Sequence, residues 1–121
     1  MVSLVIVSHS NKLAEGLLHE LRMFSKNCHI AIAGGDDENN YGTSFTKITN
    51  AINEVYSKDG VCIVTDVGSS IMTSQMVLEE LQDENIKLLD CTLLEGAITV
   101  VTSSEQGKTL DEIVKEVSNN K

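Results

Sequence analysis

Three short stretches of this chain hold residue types that could do chemistry together: SHS at 8–10, GGDDENNYGTS at 34–44 and DVGSS at 66–70. Each follows an apolar run and leads into a segment with helical spacing. Between them they offer one imidazole, one carboxylate at the tip of an apolar run, several hydroxyls and four of the eight glycines. A neutral imidazole is a good nucleophile near pH 7, and the N–P bond it forms stays reactive enough for onward transfer. One ring nitrogen must be free to attack, while the other needs a partner that fixes the tautomer and steadies the cation formed. His9 is the candidate nucleophile and Asp66 the candidate partner. Ser8, Ser10, Thr43 and Ser69, with nearby amides, are candidates to hold phosphoryl oxygens. Gly34, Gly35, Gly42 and Gly68 would let the backbone come close to such an anion.

Those stretches gather only if the elements bring them to one edge. Four apolar runs, VSLVIV (2–7), CHIAIA (28–33), VCIVT (61–65) and IKLLD (86–90), are short and bounded by polar residues or glycine, which predicts buried strands. Helical stripes lie between them: Leu13, Leu17, Leu21 and Phe24, then Ile48, Ile52, Val55 and Tyr56, then Met72, Met76, Leu78 and Leu81. Met72 and Met76 read as core or interface filling. Strand alternating with helix predicts an α/β fold: one three-layer domain over residues 1–121, with a mainly parallel sheet of about four strands and helices on both faces. In such a sheet ligands bind beyond the carboxyl ends of the strands, where the three stretches fall. Helix N-termini meeting there present unpaired N–H groups and a positive dipole end. Near the C-terminus the pattern divides. ITVVT alone looks like strand, yet Gly107 makes a good helix C-cap. Thr109 and Glu112 have capping-box spacing and open a last helix, LDEIVKEV.

Other chemistry finds little support. His19 lies off the apolar stripe of its helix and reads as solvated. His29, inside the second apolar run, reads as a satisfied or edge histidine. With His9 they make no HExxH or other ligand spacing, so no metal site is expected. The acidic run 36–38 reads as a solvated loop. There is no GxxxxGK[ST], no GxGxxG after the first strand and no GxSxG elbow. Cys28, Cys62 and Cys91 show no CxxC spacing and sit in or beside apolar runs, as buried thiols of a reducing compartment do.

Composition narrows the partners. A chain of 121 residues buries roughly two thirds of its unfolded surface, enough to need no disulfide or metal. Its apolar fraction of 41% with 3% aromatics makes an aliphatic core. A net charge of −9 repels nucleic acid, which requires a basic footprint, and attracts basic protein surfaces. No apolar stretch approaches the ~20 residues of a membrane span, and the start MVSLVIV lacks a basic leader region, so a cytoplasmic protein is expected.

In order along the chain, IVSHSNKLAEGL, GG followed by GTSFTKITNAI, TDVGSSIM and LLEGA resemble the DhaM family, the phosphotransferase subunits of phosphoenolpyruvate-dependent dihydroxyacetone kinases. The resemblance implies the fold of mannose-family IIA (EIIA) domains, a homodimer, and His9 as the phosphorylated histidine. It implies that the phosphoryl group comes from the phosphocarrier HPr and passes to ADP on a separate subunit, DhaL. The ATP so formed would serve a third subunit, DhaK, which phosphorylates dihydroxyacetone. This chain itself would bind no cofactor. The resemblance also makes ITVVT helical, because in the family EGA opens a helix. Relatives often carry Ala and Asn where this chain has Ser70 and Thr73, and longer ones append further modules. The nearest alternative is a sugar-transport IIA domain that donates to a IIB domain; SHS, GSS and LLEGA favour the kinase component. A receiver domain with Asp66 as phosphoacceptor would need an acidic pair after the first strand, where Ser8 and His9 stand. A phosphohistidine hydrolase would place arginine beside its histidine, and the one arginine, Arg22, is distant in sequence.

Overall fold

A computed structural model describes residues 1–119. Its elements run β1 (Ser3–Ser8), α1 (Asn11–Leu21), β2 (Ile30–Gly34), α2 (Phe45–Val55), β3 (Val61–Thr65), α3 (Ser69–Leu81), β4 (Ile86–Leu88), α4 (Leu93–Glu105) and α5 (Leu110–Asn119). The four strands form one parallel sheet, as the alternation predicts, and their order is β2-β1-β3-β4. Parallel strands with both faces covered are apolar throughout, and β1 is buried along its whole length. Its alternate side chains serve two cores. Leu4 and Ile6, with Val2 just before the strand, join Ala14, Leu17 and Leu21 of α1, Val100 and Val101 of α4 and Ile113 of α5. Val5 and Val7 face Ile48 and Ile52 of α2 and Val77 of α3.

The helical stripes need correction at single positions. In α1 the packed face is Ala14, Leu17 and Leu21, whereas Leu13 and Phe24 are 46% and 43% exposed. Leu13 stands one residue, about 100°, off that face, and Phe24 lies past the helix end. Tyr56 is likewise outside α2 and exposed, its hydroxyl donating to Asp83 Oδ2 at 2.6 Å. Met72 and Met76 do not fill the core. They are exposed, and α3 instead packs through Ser70, Ser74 and Val77. His29 is exposed and precedes β2 rather than lying inside it.

The divided C-terminal pattern resolves as helix. The β-branched run from Ile98 to Thr102 lies within α4 because Ala97, Val100, Val101 and Ser104 are buried there. Burial outweighs a helix penalty of only a few tenths of a kcal/mol per residue. Thr99 and Thr102 donate to the carbonyls of Glu95 and Ile98, the i−4 pattern that fits a threonine hydroxyl into a helix. Gly107 follows at φ +79°. The capping box at α5 is formed in both directions: the Thr109 N–H donates to Glu112 Oε1 at 2.9 Å, and the Glu112 N–H to Thr109 Oγ1 at 3.2 Å.

Candidate functional site

Strand register places the histidine beside the aspartate. Val7 pairs with Thr65 across β1 and β3, so the next residues, Ser8 and Asp66, stand side by side at the carboxyl edge of the sheet. The Asp66 N–H still donates to the Val7 carbonyl at 3.1 Å. On the other flank Ser8 pairs with Gly34 of β2, and the Gly35 N–H donates to the Ser8 carbonyl at 3.0 Å. The chain reverses direction across the sheet at β1 and β3, and such a switch point opens a crevice above the strand ends. His9 and Asp66 sit at its mouth.

The ring is held at both nitrogens. His9 Nδ1 lies 3.0 Å from Asp66 Oδ1, and Nε2 lies 2.8 Å from the Ser69 hydroxyl. The imidazole side chain is 29% exposed and the aspartate 16%. Asp66 accepts four further hydrogen bonds: from the His9 N–H at 2.9 Å and the Ser8 hydroxyl at 2.9 Å on Oδ2, and from the Val67 N–H at 2.8 Å and the Ser70 hydroxyl at 2.6 Å on Oδ1. Burial pushes this carboxyl up, but the Ser70 hydroxyl, the His9 and Val67 N–H groups and the Ser8 hydroxyl outweigh it. The net result is a fall to about 2. A carboxylate that only accepts obliges Nδ1 to carry the proton, which leaves the lone pair on Nε2. Ser69 then donates to that lone pair.

The other expected residues divide by what they touch. Ser8, expected among phosphate-holding hydroxyls, is fully buried beneath Asp66 and committed to it. Ser10 caps α1, accepting from the Leu13 N–H at 3.3 Å. The Gly35 N–H is spent on Ser8, and the residue turns the chain at φ +78°. Gly34 serves a different close approach from the one expected. A Cβ there would lie 2.5 Å from the Asn11 Cα, so its missing side chain lets α1 start against β2. Gly68, at φ +57°, turns the chain into α3 and leaves the first turn of that helix facing the imidazole. Thr43 donates to Ser69 Oγ at 3.2 Å and shares a 3.0 Å hydrogen bond with Thr73. Ser69, Thr43 and Thr73 thus form a hydroxyl chain ending on Nε2. Ser70 and Thr73 lie within the α3 pattern, where sequence spacing marks packing and gives no sign of which hydroxyl will meet a carboxylate.

Beyond the ring an open cleft of about 300 Å³ is lined by His9, Ser10, Asn11, Lys12, Asn39, Asn40 and Tyr41. A larger cavity of about 400 Å³, bounded by Cys91, Thr92, Glu95, Gly96 and Thr99, shares no lining residue with it. Asp36 of the acidic run accepts from the Glu38 and Asn40 N–H groups at 2.9 Å each, so its carboxylate builds the loop. Burial pushes the Cys62 thiol up to about 12 and the Cys28 thiol upward too, which makes both poor nucleophiles. No described helix is long and apolar enough to cross a membrane.

A family model described as the PTS system fructose IIA component, EIIA-man, matches residues 3–115. The chain is also 32% identical to the phosphoryl donor subunit DhaM of a PEP-dependent dihydroxyacetone kinase from Listeria innocua, over 98% of each. The chain belongs to the DhaM family. DhaM from Lactococcus lactis, the phosphotransferase subunit of a PTS-dependent dihydroxyacetone kinase, is 34% identical over 94% of this chain and 91% of its own length. The Escherichia coli DhaM is 36% identical over 94% of this chain, which spans 26% of that longer protein and about a quarter of others like it. Among solved structures, a protein of unknown function overlays with a TM-score of 0.86 at 26% identity, covering 98% of this chain and 93% of that one. The phosphotransferase system component EIIA from Streptococcus agalactiae shares the fold, with a TM-score of 0.73 at 22% identity over 98% of this chain and 91% of its own.

Proposed function

We propose that this chain is a phosphoryl carrier. His9 takes the group from phosphorylated HPr and passes it to ADP held on a DhaL subunit, regenerating ATP for the dihydroxyacetone-phosphorylating DhaK subunit. The chain acts in the cytoplasm as a homodimer and binds no cofactor of its own. The observation that carries this reading is the partly exposed imidazole whose Nδ1 lies 3.0 Å from Asp66 Oδ1, an acceptor that leaves the lone pair on Nε2.

In the first step the Nε2 lone pair attacks phosphorus in line. The Nε2–P bond forms as the donor's N–P bond breaks, and that electron pair returns to the donor imidazole. Ser69 must leave the lone pair for this to happen, and its hydroxyl can then donate to a phosphoryl oxygen. His9 becomes a cationic phosphoimidazolium, opposite the Asp66 carboxylate. The N-terminus of α3 adds a positive dipole end beside the phosphoryl group. In the second step a β-phosphate oxygen of ADP attacks the same phosphorus from the open cleft, and the Nε2–P pair returns to His9. The reactions share one exposed nitrogen, so donor and acceptor bind in turn.

Incubation with phosphoenolpyruvate, enzyme I and HPr is expected to add one acid-labile, alkali-stable phosphoryl group, and His9→Ala to add none. A His9→Ala protein that still accepts the group refutes the assignment. Labelled protein is then offered ADP on a DhaL subunit or, separately, a IIB domain. Transfer to the IIB domain alone would replace the kinase reading with a sugar-transport one.

A further inference from the structure

We propose that Ser70 is a positioning residue of this site, whose buried hydroxyl sets how firmly Asp66 holds the imidazole and so how readily His9 gives its phosphoryl group away. This rests on the phosphoryl-carrier reading above. Ser70 lies in the first turn of α3 and is 0% exposed. Its hydroxyl donates to Asp66 Oδ1 at 2.6 Å, and the same oxygen atom of Ser70 lies 3.2 Å from His9 Nδ1. A serine has one proton to give, and at 2.6 Å the carboxylate receives it. With its proton so committed, Ser70 Oγ takes only the longer 3.2 Å share of Nδ1–H, while Asp66 Oδ1 at 3.0 Å is the charged acceptor that the Ser70 proton weakens.

Oδ1 serves three donors: Ser70 at 2.6 Å, the Val67 N–H at 2.8 Å and Nδ1 at 3.0 Å. The imidazole has the longest of the three. Each donor withdraws charge from the carboxylate and weakens its pull on the others. That pull counts most when the ring is cationic, with phosphorus on Nε2. Ser70 thus raises the phosphorylated form in free energy relative to the free imidazole, and favours release to the acceptor over retention. Asp66 is the charged group bonded to the ring, and Lys12 lines the cleft on its open side. Around Nδ1 and the carboxylate, Ser8 and Ser70 contribute only neutral hydroxyls.

The test uses Ser70→Ala and Ser70→Cys, the second filling the buried space with a weak donor. Each protein is equilibrated with labelled phospho-HPr, and the label is partitioned between the two chains. Both variants are expected to retain label about three- to tenfold more than wild type, the range set by one net hydrogen bond, and to release it to acceptor more slowly. The Asp66 carboxyl, followed by carbon NMR, is expected to titrate at higher pH than in wild type. In an Asp66→Asn background, Ser70→Ala is expected to change the partition no further. Folded variants with wild-type partition and an unmoved Asp66 titration would overturn the proposal, as would an undiminished Ser70→Ala effect in the Asp66→Asn background. A wild-type protein that accepts no label fails at the first measurement and removes the carrier reading itself, which separates the two failures.

Discussion

His9 and Asp66 work as a unit because one atom of each settles the chemistry of the other. A carboxylate saturated with donors cannot be the proton donor, so Nδ1 must be, and Nε2 is then the nitrogen that would attack in the proposed carrier. Asp66→Asn keeps the size but replaces one oxygen by an NH₂ group that can only donate, and either orientation loses the charge opposite the phosphoimidazolium. The variant is expected to fold and to accept phosphate from HPr on the order of 10²-fold more slowly, checked by rapid-quench labelling. An unaltered rate would take Asp66 out of the mechanism. The same carboxyl ties stability to pH. Its value is lowered on folding from 3.8 to about 2, so its contribution is complete above pH 4 and is lost as pH falls through 2. Urea midpoints of wild type and Asp66→Asn are expected to converge across that window; parallel curves would contradict it.

Among the elements, α1 and α4 depend on missing side chains. The Cβ of an alanine at position 34 would meet the Asn11 Cα at 2.5 Å, and backbone cannot swing aside. Gly34→Ala is expected to cost about 1–3 kcal/mol in urea denaturation and to slow phosphorylation as well, because His9 lies two residues before the displaced start of α1. At Gly96 the nearest atom is the Cys91 sulfur at 2.2 Å, a side chain that can rotate, so Gly96→Ala is expected to cost less. Helix α5 offers a contrast. Its Ile113 is fully buried against β1 and α4, far in sequence from the site. Ile113→Ala is expected to destabilise by about 2–5 kcal/mol while the folded fraction keeps its phosphorylation rate. A rate loss as large as that of Gly34→Ala would mean that α5 positions the site.

At the scale of the whole molecule, a parallel sheet brings every strand's carboxyl end to one edge, and the reversal of strand order between β1 and β3 opens that edge to partners. A net charge of −9 surrounds it. A donor with a basic surface would be steered to it by long-range attraction. The second-order rate of phosphoryl transfer from HPr is expected to fall about tenfold between low salt and 0.5 M salt, where the screening length shrinks below 10 Å. A rate indifferent to salt would mean that docking is led by apolar contact. Exposed Val67, Met72 and Met76 around the first turns of α3 would then be the surface to vary.

The amino-acid order by itself determined the four strands, their parallel pairing with helices on both faces, the capping box at α5 and the pair His9 and Asp66. Each follows from local facts: apolar runs of strand length, hydroxyl and glycine punctuation, and a histidine and an aspartate placed just past two strand ends. Tertiary structure decided what local pattern leaves open. It turned the β-branched run of α4 into helix, because burial of Val100 and Val101 outweighs weak intrinsic preference. It exposed Leu13 and Met76, each one helical position off the packed face, and Met72, on the far side of α3. It also assigned the hydroxyls, taking Ser8 and Ser70 to Asp66, Ser10 to a helix cap and Ser69 to Nε2. Hydrogen bonds are decided within a few tenths of an ångström, and only the packed arrangement of β1, β3 and α3 sets distances that fine.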